Sequence, residues 1–185
     1  MIKEFEQNMS NALQNFIIGL NDAKELMSCF DSINKSNSDT APKVLKRATL
    51  IMVLTAWETY IEDVAVELFN NKFGVLNGCH LGNFMQQQFS IHLKRFHNPD
   101  SLKTKKIFQE FFGVDVTEKW TWNNYNDPDQ VRHILNKWIK KRGEAVHRAQ
   151  TDQTKPHIAK RDELDKCLRF FSELVEVTDA ALMKV

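Results

Sequence analysis

The sequence predicts an all-α bundle of five to six helices with a long central helix, in one domain covering residues 1–185. Three observations carry this. Apolar residues recur at spacings of three and four along most of the chain. Turn formers are scarce, six Gly and four Pro in 185 residues, where an all-β chain needs many turns. No segment alternates for long enough to make a convincing strand. Apolar residues at 42% and charged residues at 26% are ordinary for a globular protein. A chain of this length can bury about 70% of its unfolded surface.

Residues 2–33 read as a long amphipathic helix, with Phe5, Met9, Leu13, Phe16, Leu20, Met27 and Phe30 in its stripe. A polar loop over 35–40 follows. Thr40 is placed to cap the second helix, with Pro42 in its first turn. That helix, about 42–72, is the expected centre of the fold, because Ala48 to Trp57 is apolar nearly all round. Its second half turns amphipathic, and Glu58 sits at the boundary, on the edge shared by Ile51, Ala65 and Phe69.

Gly74, Gly78 and Gly82 punctuate a loop around Cys79 and His80. These two potential ligands are adjacent, with no second pair nearby, so no metal site is expected there. Asn83 with Gln86 is the expected start of a third helix, which Asn98-Pro99 ends. A short fourth helix spans Leu102 to Phe112, stopped by Gly113. In the irregular segment 114–125, Trp120 and Trp122 alternate. Such aromatics either plug a loop onto the core or stack on nucleic-acid bases. The last helix is expected over Ile158 to Met183.

The remaining helix opens at Asp127-Pro128-Asp129-Gln130, a capping signal, and carries the main anomaly of the chain. Val131, Ile134, Leu135, Trp138, Ala145 and Ala149 form its apolar stripe, and Arg142 falls inside it. A guanidinium cannot lose its charge in a protein, so burying it requires an acidic or phosphate partner. Glu58 is the candidate partner, each group offsetting the other's desolvation; the alternative is that Glu58 reaches water. His147 lies five residues beyond Arg142, about 140° round an ideal helix. Gly143 stands between them, and a kink or early unwinding there would bring the imidazole back toward the arginine. The same spacing also fits a structural Arg142 with an unrelated surface histidine.

Net charge is only +1, but residues 101–161 hold 13 Lys/Arg against 7 Asp/Glu. That local excess suits an anionic ligand near Arg142. Cys29, Cys79 and Cys167 are sparse and odd in number, as in a reducing compartment. The first residues lack the basic and apolar regions of a signal peptide, and the longest apolar-rich run is about half of a membrane span. A cytoplasmic protein is expected. No phosphate-cradling glycine loop, His-Glu-x-x-His pair, Cys-x-x-Cys or nucleophile elbow occurs, so neither a metal nor a cofactor is expected.

Arg142-Gly-Glu-Ala-Val-His147 resembles the Arg-x(4–6)-His signature of the HEPN superfamily of small helical-bundle ribonucleases. The stretch Leu54-Thr-Ala-Trp57-Glu58-Thr-Tyr60-Ile-Glu-Asp63 is similar to the central helix of its RiboL-PSP branch. So are Ile107-Phe-Gln-Glu-Phe-Phe-Gly113, the Trp120/Trp122 segment and Leu135-Asn-Lys-Trp138. The resemblance covers most of residues 40–180. It implies cytoplasmic homodimers whose paired motifs meet in a cleft, often in toxin–antitoxin or anti-phage systems, so a cognate antitoxin protein joins RNA among the expected partners. One position departs: the residue after the arginine is commonly Asn or another polar residue, and here Gly143 removes that side chain.

Two functions follow as expectations. The first is a metal-independent endoribonuclease with Arg142 and His147 catalytic, Glu58 supporting, and Lys140, Lys141 and Arg148 on flanking phosphates. The second is a non-catalytic dimeric module that binds RNA, a nucleotide or a partner protein, with Arg142 structural.

Overall fold

The computed structural model describes residues 9–36, 41–147 and 159–185, with backbone alone at Ser36 and His147. Six α-helices occur among them: α1 (Asn11–Ser36), α2 (Val44–Phe73), α3 (His80–Lys94), α4 (Ser101–Phe112), α5 (Pro128–His147) and α6 (Arg161–Leu182). Short 3-10 turns occupy Gly74–Leu76 and Val116–Lys119. Among the described residues no strand forms, and the Trp122–Tyr125 pairing is an isolated bridge.

At 30 residues α2 is about 45 Å long, and α1, α4, α5 and α6 all pack against it. Its apolar half contributes Leu50, Val53, Leu54 and Trp57, and the inner face of its second half adds Ile61 and Val64, all completely buried. The aromatic centre continues into the loop after α4. Trp120 is fully buried, edge-on to Trp57, and its indole N–H donates to Thr178 Oγ1 at 2.9 Å. It plugs the loop onto the core and is not available to stack on bases. Asp179, buried in α6, accepts hydrogen bonds from Ser10 and from Tyr60 Oη, which fixes the N-terminal end of α1 against α2 and α6.

Several helix ends differ from the sequence expectation, each for a local reason. The third helix starts at His80, three residues before Asn83, because Cys79 Sγ accepts the Gly82 N–H at 3.3 Å and caps it. Gly82 is therefore a helix residue. A β-carbon there would lie 1.9 Å from Leu76 O, so only glycine lets this turn close onto the preceding one. The second helix begins at Val44 without a side-chain cap; Thr40, the expected cap, lies outside the described residues. The last helix starts at Arg161, where Glu163 accepts the Lys160 N–H at 2.9 Å. Asp100 caps α4, and Gly113 ends it in the left-handed conformation at φ 73°. Most consequential for function, α5 runs through Gly143 to His147 as unbroken α-helix.

Candidate active site

The loop between α3 and α4 crosses the contact between α2 and α5, and three ties hold it there. Trp57 Nε1–H donates to Pro99 O at 2.9 Å from inside the core. Ser101 N–H donates to Asn136 Oδ1, and Asn136 Nδ2 donates to Ser101 Oγ, both at 3.0 Å, joining the start of α4 to α5. Lys103 Nζ donates to His97 O. Asn98 takes a positive φ of 52°, a conformation asparagine adopts more readily than most residues, and this turns the chain between His97 and Pro99.

Arg142 and Glu58 meet under this loop. Arg142 Nη1 lies 3.0 Å from Glu58 Oε2, and their side chains are only 17% and 15% exposed. Nη1 also donates to Asn98 Oδ1, and Nη2 donates to Thr55 Oγ1 at 3.4 Å. Nε is buried with no partner of its own. The second carboxylate oxygen of Glu58 accepts the Asn98 N–H at 3.0 Å and lies 3.8 Å from His97 Nδ1. The stripe anomaly in the sequence thus resolves into a network of α2, α5 and the intervening loop.

Glu62, one turn along α2, completes the acidic side. Burial raises its pKa, and the charge of Glu58 raises it further. Glu58, Glu62 and His97 bring ligand atoms within 4.8 Å of one another, the one such grouping among the described residues. Arg142 already supplies a fixed positive charge to the Glu58 carboxylate, which disfavours a metal cation beside it.

The other site candidates are placed differently. Lys141 Nζ lies 2.8 Å from Glu163 and 5.3 Å from the Trp138 ring centroid, so it ties α5 to α6. Burial pushes the Glu163 pKa up, but the hydrogen bonds from Lys141 and the Lys160 N–H outweigh it and hold the carboxyl low. Lys140 is exposed, about 200° round α5 from Arg142 and so on the opposite face. His147 follows Lys140 by two turns, and its backbone shares that face; its side chain and all of Arg148 lie outside the described residues. Part of the basic segment is paired locally: Lys105 with Asp115, Lys106 with Glu110, and Arg132 with Glu118 and Asp129.

Sequence reasoning missed Thr55, His97 and Asn98. Asn98-Pro99 read only as the end of a helix, His97 carried no signal, and nothing in the spacing shows that this turn folds over Glu58. A groove of about 240 Å³ between α3 and α4 was equally hidden. Buried Phe96 and Ile107 line it together with the exposed cations Arg95, Lys103 and Lys106.

Compared with known protein families, the chain matches RiboL-PSP-HEPN over residues 19–184. No curated protein and no solved structure matches it. Among the described residues no helix is long and apolar enough to cross a membrane.

Proposed function

Because the chain belongs to the RiboL-PSP-HEPN family, we propose that it is a metal-independent endoribonuclease whose chemistry centres on Arg142. The observation that carries this reading is a cation, fixed by the carboxylate of Glu58, at the position that resembles the Arg of the Arg-x(4–6)-His signature. The 2′-hydroxyl of the substrate attacks the adjacent phosphate, and Arg142 stabilises charge on the phosphoryl oxygens. His147 exchanges a proton with the attacking or the leaving oxygen. Lys140 and Arg148 hold flanking phosphates, as does Lys141 when it leaves Glu163; the cations of the α3–α4 groove lie beside the same loop.

The backbone positions of Arg142 and His147 lie about 140° apart round α5, which favours a site completed by a second copy. A homodimer that opposes the two α5 helices across a two-fold axis sets the histidine of one copy against the arginine of the other. Three free cysteines and an RNA substrate suit the cytoplasm, and a defence role with a cognate antitoxin is the setting we assign.

A second reading has its own support. Both Nη groups of Arg142 are already engaged within the fold, as expected of a structural arginine in a non-catalytic module that binds RNA, a nucleotide or a partner protein. Incubation of the purified protein with total RNA in EDTA, beside His147→Ala, separates the two. Cleavage that is lost in the variant supports the nuclease; intact RNA in both supports the module.

A further inference from the structure

Among the described residues, the histidine that the fold brings to Arg142 is His97. Its Nδ1 and Arg142 Nη1 face different oxygens of one carboxylate, Glu58, at 3.8 and 3.0 Å. The arrangement has the parts of a proton-transfer site. The imidazole side chain is 73% exposed and open to a substrate, while Glu58 is 15% exposed and locked by Arg142, Asn98 and the core. The backbone under the ring is held by Pro99 O on Trp57 and by Lys103 on the His97 carbonyl. A mobile surface histidine has no such support.

We infer that His97 is the general base of the RNA cleavage proposed above, on which this assignment rests. With Nδ1 turned to Glu58, the other ring nitrogen is the one left to meet the substrate. It takes the proton from the 2′-hydroxyl as that oxygen bonds to phosphorus. The bond from phosphorus to the 5′ oxygen breaks, and the protonated His147 supplied by the second copy gives its proton to that leaving oxygen. The products are a 2′,3′-cyclic phosphate and a free 5′-hydroxyl. No water is consumed, and solvent returns the two imidazoles to their starting protonation states. Glu58 stabilises the imidazolium that forms on His97, as a carboxylate does behind a catalytic histidine. The charged groups around the ring are Glu58 and Glu62 from α2, Lys103 from α4 and Arg142 from α5.

The test compares wild type, His97→Ala, His97→Gln and His147→Ala on a single-stranded RNA oligonucleotide in EDTA, over about pH 5 to 8. A second substrate carries sulfur in place of the 5′ leaving oxygen at the mapped cut, and so needs no proton donor. Both His97 variants should lose about 100-fold or more in kcat, with KM retained and the limb of the pH profile that reports the base removed. Their melting temperature should match wild type, since an exposed ring contributes little packing. On the sulfur substrate the His147→Ala loss should be relieved and the His97 losses should persist. His97 variants that cut as fast as wild type with the same pH profile overturn the assignment, as does relief of their loss by sulfur. Wild-type protein that cuts no RNA overturns the cleavage reading, and this assignment with it.

Discussion

Glu58 and Arg142 are 3.0 Å apart, one on the central helix and one on α5, with Asn98 bonded to both. Removing either partner strands the other charge in a largely dry setting. Arg142→Ala and Glu58→Ala should each destabilise the fold by about 3–5 kcal/mol. The double variant should cost much less than the sum of the two. Urea titration of the four proteins gives the coupling, and strict additivity would show that the pair does not interact.

His147→Ala or His147→Gln should abolish RNA cleavage while leaving the melting temperature nearly unchanged. Wild-type products should carry 2′,3′-cyclic phosphates and should form in the presence of EDTA. A substrate with a 2′-deoxy or 2′-methoxy group at the cut should resist. Equal cutting of the deoxy substrate would rule out 2′-hydroxyl attack.

The protein should be a dimer of the 21.6 kDa chain at micromolar concentration in size exclusion with light scattering. A clean monomer that still cuts RNA would show that no second α5 is needed.

Two glycines should respond to alanine with opposite signs. At Gly82 the added β-carbon meets Leu76 O at 1.9 Å, so Gly82→Ala should destabilise by about 1–3 kcal/mol. At Gly143 it meets nothing within 4 Å, and Gly143→Ala should stabilise α5 by about 1 kcal/mol. Thermal melts decide both. Loss of stability at Gly143 would mean that the helix is not continuous there.

Stability should fall as the solution is acidified. Hydrogen bonds from Arg161 hold the Asp31 pKa low; Lys105 and Thr117 do the same for Asp115 against its burial, and Lys141 does so for Glu163. A carboxylate depressed in the folded state contributes fully above its unfolded pKa and loses that contribution as pH falls through the folded value. Glu62, raised by burial and by Glu58, acts in the opposite sense and weakens the fold as pH rises past its unfolded value. The urea midpoint should drop steeply below about pH 4, and Glu163→Gln should make the drop shallower. An unchanged slope in that variant would show that the Lys141 pair contributes nothing.

The helical architecture was legible because periodicity reports burial directly, and the all-round apolar run before Trp57 marked α2 as central. Arg142 stood out for the same reason, a charge within an apolar stripe. Helix starts were less legible: a thiol cap at Cys79 and a glycine required by tertiary contact look like loop residues in sequence. The site was only half visible. His97 and Asn98 reach Glu58 through a loop 40 residues away in the chain, and no periodicity connects them. Lys140 and Lys141 diverge for the converse reason: adjacency in sequence is a 100° turn on a helix, so Lys140 faces away from Arg142 while Lys141 pairs with Glu163.

The indole of Trp57 anchors Pro99, next to Asn98, whose amide is bonded to Glu58. The loop that carries His97 should therefore open with the core rather than as a surface segment. Its amides should rank with those of α2 in hydrogen exchange, and in the proposed cleavage RNA meets a surface that is already in place. In the proposed reaction, substrate choice then rests on which RNA shapes fit this edge as the core holds it.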